Sequence, residues 1–516
     1  MKATETAQEF GKWRSFLWPI HNYELRKLIP LLAIFFLITF DYNVLRTMKD
    51  AVVVTAKSSG AEVIPFIKVW VMFPASILIT FLFTRLSNKM KLEYVFYIMM
   101  SLFLAYYFIF TFIIYPAKDS LHPNQTADQL QAILPLGLKG FIAMYRNWTC
   151  TTFYVMSELW SNIILSMLFW GFANQVTRLG EAARFYGLFG VGANFSGVVA
   201  GYASVIICSQ EYNPNLPFGK DAWEQSMMIL VGLVILSGIL AMLLFRWFNK
   251  QVLTDPLFAE PGMLGQDVKV RGKISMRASI RYLWNSSYLV YIALIVIAYN
   301  IVINFVEVLW KHEVHALFPD PKDYNLYMNH VSTIIGAIAT FTALFISGNS
   351  IRKLGWSFTA LLTPVILFIS SIGFFGSFFL KEFSPATLIG MGFSPLALVV
   401  FFGSMQNILS RGAKYTVFDA TREMAFVPLS AESKIKGKAV VDGLCSRLGK
   451  SGGSVIYQTL LILFSTITAS APIVSVFLFI VIAIWGGATY LLGKEFALLT
   501  GSGERGALKQ PKEQTA

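Results

Sequence analysis

The stretch LIPLLAIFFLITFDYNVLRTMKD, residues 28–50, decides the fold, because an apolar run of membrane-crossing length ends in a segment carrying Asp41, Arg46 and Lys49. About 20 apolar residues let a helix cross the hydrocarbon, and a helix satisfies its own backbone hydrogen bonds there. A charge within such a segment costs about 2.5–3.5 kcal/mol on insertion scales, so it faces a wet cavity or a partner. Arg46 and Lys49 are three apart and share a helical face. Snorkelling from a span end accounts for either one alone; together they read as cavity groups for an anionic solute.

Runs of the same kind recur near 63–84, 94–116, 148–175, 185–207, 225–247, 286–310, 329–347, 357–379, 393–411, 438–468 and 472–493. The predicted fold is an all-α polytopic membrane protein of about 12 transmembrane helices. Composition agrees: 55% hydrophobic and 14% charged, against about 25% charged in soluble domains. The alternating pattern of a membrane β-barrel is absent. Arg85, Lys89, Lys91, Arg178, Arg184, Arg352 and Lys353 fall on one side, joined by Lys250, Lys269, Arg271, Lys273, Arg277 and Arg281 in a central loop. The positive-inside rule then places both termini and this loop in the cytoplasm. Topology therefore accounts for the net charge of +13, and no nucleic acid polymer is expected as a partner. Cys150, Cys208 and Cys445 lie far apart with no ligand spacing, so neither a disulfide framework nor a metal site is predicted.

The predicted organisation is a cytoplasmic interfacial segment 1–27, a first six-helix half 28–248, a central loop 249–285, a second half 286–493 and a cytoplasmic tail 494–516. A faint repeat supports the division. An offset of 256 sets Gly187 on Gly443, Asn194 on Lys450 and Gly197 on Gly453, while Tyr42-Asn43 meets Tyr299-Asn300 at 257. Parallel six-helix halves around a central cavity describe the major-facilitator architecture.

Other charges are weighed against the same cost. Glu158, within FYVMSELWSNIILSML, has too short a reach to snorkel; the plain alternative is a structural ion pair. Glu307 is as deep, with Lys311 four residues on as an ordinary helix partner. Arg447 and Lys450 project from one face among Gly443, Gly449, Gly452 and Gly453, where small residues let a backbone or ligand approach. LGKSGG is not a nucleotide-hydrolysing phosphate loop, since Gly443 and Gly449 enclose too many residues and no strand precedes them. Lys414, Asp419, Arg422 and Glu423 recur at helical spacing, read either as a solvated ion-pair ladder or as site residues, with Lys414 falling opposite Glu158 at the 256 offset. Gly197 and Gly201 have helix-packing spacing.

The segments LRTMKDAVVVTAKSSGAE (45–62), VMSELWSNII (155–164), NFVEVLWK (304–311), KYTVFDATREMAFVPL (414–429) and KGKAVVDGLCSRLGKSGG (436–453) resemble those of the ATP/ADP translocase family of plastids and obligate intracellular bacteria. The resemblance spans nearly the whole chain and maps that family's essential charged positions onto Lys49, Glu158, Glu307 and Lys450. It implies exchange of ATP for ADP, with inorganic phosphate accompanying ADP in some members, and import of host ATP across a bacterial inner membrane. It also admits relatives that carry nucleotides with protons or exchange NAD for ADP. The site expected from residues and resemblance together is Arg46, Lys49, Glu158, Asn194, Asn300, Glu307, Lys414, Arg447 and Lys450, the asparagines serving base or ribose. The expected partners are ATP, ADP, phosphate and membrane lipid, in a functional monomer without cofactor. A membrane enzyme is the contrasting class. It needs a metal cluster or a nucleophile with its base, and His21, His122, His312, His315 and His330 form no such pattern.

Overall fold

The computed structural model describes residues 20–177, 179–255, 283–284, 286–345, 354–429, 437–438, 440–441 and 445–500. Arg178, Lys269, Arg271, Lys273, Arg277, Arg281, Arg352, Lys353 and Gly443 lie outside them, as do most of the central loop and both chain ends. Among the described residues there is no strand; twelve long helices follow one another in sequence. They are α1 (Leu25–Val54), α2 (Val63–Lys89), α3 (Leu92–Leu121), α4 (Trp148–Val176), α5 (Leu179–Cys208) and α6 (Ala222–Val252). Then come α7 (Ser287–Leu317), α8 (Pro321–Phe345), α9 (Trp356–Phe383), α10 (Pro395–Ala413, continued through Lys414–Phe418 and Asp419–Ala425), α11 (Ser446–Phe464) and α12 (Ile467–Thr500).

Nine of these helices are long and apolar enough to cross a membrane. The three that fall short, α8, α10 and α11, are interrupted by polar side chains: Asn325 and Asn329 on α8, Asn407 and Arg411 on α10, Lys450 on α11. Asn325, Asn329 and Asn407 are fully buried, which is affordable only where partners replace water. Several helices outrun the apolar runs that announce them. The sequence places the first span at 28–48, whereas α1 continues through Arg46, Lys49 and Asp50 to Val54, so these charges lie within the bundle rather than at a lipid surface.

The repeat recurs in the packing. α1 lies against α5 and α6, and α7 lies against α11 and α12. Asn43 donates to the Thr39 carbonyl at 2.8 Å and Asn300 to the Val296 carbonyl at 2.8 Å, the same bond one turn back at the equivalent position. A Cβ added at Gly197 would touch Asn43, and one added at Gly449 would lie 2.7 Å from Asn300 Cβ. The first six helices meet the last six chiefly where α5 runs along α8, with α1 on α8 and α2 on α11 beside it. Small residues permit that approach. A Cβ at Gly201 would collide with Thr333, and one at Gly336 would lie 2.9 Å from the Val198 nitrogen.

Candidate functional site

α1 and α7 bring their charged ends together at the junction of the two sets of helices. Lys49 reaches Glu158 at 3.0 Å and Asp50 Oδ1 at 3.0 Å; Lys311 reaches Asp50 Oδ2 at 2.8 Å and Glu307 at 2.8 Å; Arg411 reaches Glu307 at 3.0 Å. The result is one unbroken chain of alternating charge, Glu158–Lys49–Asp50–Lys311–Glu307–Arg411, assembled from α4, α1, α7 and α10. Lys49 and Lys311 are 4% and 1% exposed. At such burial each ion survives only because a neighbour of opposite sign offsets its lost hydration. Lys49 also sits 4.1 Å over the Tyr154 ring, on the helix that carries Glu158.

Six charges in alternation cancel, so the sign of the site is set by those left over. Arg46 lines the same cavity with no carboxylate at ion-pair distance among the described residues. Lys68, on α2, donates to Asn304 Oδ1 at 3.0 Å, and Asn304 donates onward to the Lys450 carbonyl at 3.1 Å and to Ser454 at 2.8 Å. Lys450 lies within electrostatic reach of Glu158. The excess is therefore positive, spread over Arg46, Lys68 and Lys450; of these Arg46 lines a cavity of about 20 Å³ walled also by Asp50, Glu307, Trp310, Asn407 and Arg411. Arg411 Nε, buried and without a hydrogen-bond partner, is a spare donor in the cavity wall. Guanidinium and ammonium groups so placed match the oxygens of a phosphate chain.

Of the residues expected from sequence, the structure gathers Arg46, Lys49, Glu158 and Glu307 at this junction, with Lys450 nearby. Arg447 is exposed one turn from Lys450. Lys414 bonds Asp419 at 3.1 Å, in a ladder continued by Arg422 to Glu423 at 3.0 Å and by Lys438 to Glu423 at 2.5 Å. It is not part of the junction chain; its electrostatic neighbours are Asp419, Tyr415 and Arg422. Asn300 spends its amide on its own helix, and the Asn194 carbonyl lies against Gly336 at the α5–α8 contact. Asp41 also turns away: it is buried beside Ser237 of α6, with both carboxylate oxygens lacking a hydrogen-bond partner.

Sequence reasoning missed Asp50, Lys68, Asn304 and Arg411, and read Lys311 only as a local helix partner. Two of these had a signal. Lys68 is a lone lysine in an apolar run, open to the cost argument that found Glu158, and Asp50 falls on Glu307 at the same 257-residue offset that pairs the asparagines. Outside the spans, at the end of the bundle where α1 meets α2, burial pushes the Glu62 carboxyl up. Lys139, 2.8 Å away, more than reverses this and holds it below the usual carboxylate range.

The sequence profile of the TLC ATP/ADP transporter family matches residues 3–496. The chain belongs to that family. Among its relatives, ADP,ATP carrier protein 1 of Chlamydia trachomatis is 44% identical over 503 residues, covering 97% of this chain and 95% of its own length. ADP,ATP carrier protein 1, chloroplastic, of Arabidopsis thaliana is 39% identical over 477 residues, covering 92% of this chain and 74% of its own. Two solved structures share the transporter's fold. A bacterial homologue of the iron transporter ferroportin superposes with TM-score 0.50 at 12% identity, over 90% of this chain and all of its own. A D-xylose-proton symporter gives 0.50 at 12%, over 92% and 97%. That likeness is one of fold, the major-facilitator architecture; the nine long apolar helices and the family match make this ATP/ADP transporter family member a multi-pass membrane protein.

Proposed function

We propose that this chain exchanges ATP for ADP by alternating access, inorganic phosphate accompanying ADP, and that it imports host ATP across the inner membrane of a bacterium. It works as a lipid-embedded monomer with both termini in the cytoplasm, and it carries its substrate without chemical change. The observation that carries this reading is the unbroken ion-pair chain at the junction of the halves, in a member of a family of ATP/ADP transporters, with Arg46 as a surplus cation in the cavity wall and Lys68 and Lys450 as further cations around the chain. A polyanion entering there exchanges its hydration for fixed ammonium and guanidinium groups. Lys49, Arg46, Arg411 and Lys450 would hold the phosphates, and Glu158 and Glu307, which repel them, hold the cations in place while the site is empty.

The decisive experiment is uptake of labelled ATP into liposomes preloaded with ADP, with ADP plus phosphate, with phosphate alone, or with nothing. Stimulation by internal adenine nucleotide is the expected result. Uptake that ignores the internal contents and collapses with an uncoupler would replace exchange by proton symport. Stimulation by internal ADP of labelled NAD uptake rather than ATP uptake would move the chain to the NAD exchangers, and product formed from ATP would make it an enzyme.

A further inference from the structure

Among the described residues, one ion pair crosses from the first six helices to the last six: Asp50 Oδ2 with Lys311 Nζ, at 2.8 Å. Asp50 is divided between the two sides, since its other oxygen holds Lys49 of its own helix at 3.0 Å. The pair lies close to the ends of α1 and α7 at Val54 and Leu317, here termed the far mouth. Two further bonds join the halves in the same region. Thr47 donates to Asn329 Oδ1 at 2.9 Å, and Asn325 donates to Cys208 Sγ at 3.3 Å. The cavity lies against this seal, with Asp50 and Glu307 both in its wall.

We infer that the Asp50–Lys311 pair is a latch that keeps the far mouth shut in the empty carrier, and that a substrate's phosphates release it by taking its cations. Asp50 and Glu307, equivalent in the repeat, share Lys311 between them. An incoming polyphosphate first meets Arg46, which has no carboxylate of its own at ion-pair distance among the described residues, and the spare Nε of Arg411. It repels Glu307, which is bound to both Arg411 and Lys311, and competes for Lys311 with more oxygens than Asp50 offers. Asp50 is then left with Lys49 alone, and nothing ionic spans the mouth. A ligand moves such an equilibrium only by binding one state better than the other. Phosphate does so here because the cations it needs are engaged by carboxylates in the latched state and available in the open one. The empty carrier therefore seldom presents its site at the far mouth, and uptake from that side requires a substrate inside to carry the site round.

The inference rests on the proposed function only for the identity of the ligand, and its test separates the two. In the full-length chain carrying Asn325→Cys, the new thiol faces Cys208 across the closed mouth, and the oxidation rate of this pair, read by peptide mass after brief copper-phenanthroline treatment, reports closure without any transport. Oxidation is expected to be fast in the empty carrier and at least threefold slower with ATP or inorganic tripolyphosphate. It is also expected to be at least threefold slower without ligand when Asp50→Asn is added. Glu158→Gln removes a carboxylate from the same chain without touching the crossing pair and is expected to leave the rate as it was. Asp50→Asn is further expected to raise ATP uptake into vesicles holding no nucleotide. An unchanged oxidation rate in Asp50→Asn, or equal slowing by Glu158→Gln, overturns the latch whatever the transport assay shows. Slowing by tripolyphosphate without any ATP/ADP exchange by the parent chain keeps the latch and removes the substrate assignment.

Discussion

At the scale of single residues, the site illustrates how a membrane interior tolerates charge. Lys49 serves two acids, Asp50 and Glu158, each at 3.0 Å, and its ammonium group lies over the Tyr154 ring. Removing one partner from a buried ion pair costs about 3–5 kcal/mol because the other charge is left uncompensated. Lys49→Ala leaves two carboxylates short of a cation, whereas Glu158→Gln leaves Lys49 with Asp50 and leaves a group that is partly exposed. We therefore expect Lys49→Ala to reduce ATP/ADP exchange at least tenfold, and further than Glu158→Gln, with both variants inserted in the membrane at near-normal levels. Uptake normalised to inserted protein measures this, and full activity of Lys49→Ala would remove that residue from the site.

Among elements, close helix approach divides into two kinds with separable consequences. Gly449 lies on α11 against α7, within the second half, and a Cβ there would lie 2.7 Å from Asn300 Cβ and 2.9 Å from the Ile297 carbonyl. Gly201 lies on α5 against α8, between halves, where a Cβ would collide with Thr333. Overpacking costs about 1–3 kcal/mol. In Gly449→Val that cost falls on the folded half and is expected to lower the thermal midpoint of the purified protein. In Gly201→Val it falls on one conformation, so exchange is expected to drop several-fold with a smaller change in midpoint. Thermal unfolding and uptake on the same preparations distinguish them; equal loss of midpoint in both would mean that the α5–α8 seam is fixed rather than opened during transport. Gly201 was legible beforehand as a packing residue from its spacing to Gly197, but its partner was not, because sequence spacing within one helix does not reveal which helix lies opposite.

For the whole molecule, the charge carried per cycle is the measurable quantity. Exchange of fully ionised ATP for ADP moves one net charge, worth about 2.3 kcal/mol per 100 mV, or roughly 50-fold in the equilibrium distribution. Liposomes preloaded with ADP are expected to take up more ATP when the interior is made positive, and to lose that sensitivity when phosphate is preloaded and leaves with ADP as the monoanion. A valinomycin-set potassium potential provides the control. Voltage dependence that persists with internal phosphate would rule out phosphate as the balancing ion.

The sequence by itself determined that this is a helical membrane protein built from a repeated half, and it picked out Lys49, Glu158 and Glu307, because the hydrocarbon imposes one local rule on every segment: long apolar runs, and a penalty on each charge. Tertiary structure alone decided which charge meets which. Glu307 and Arg411 are 104 residues apart, Thr47 and Asn329 are 282 apart, and Asp50 drew no reading from the sequence, because Lys311 of the other half is what gives it a role. Burial cost can be read along a single chain, whereas the compensation for that cost comes from neighbours that only folding brings near.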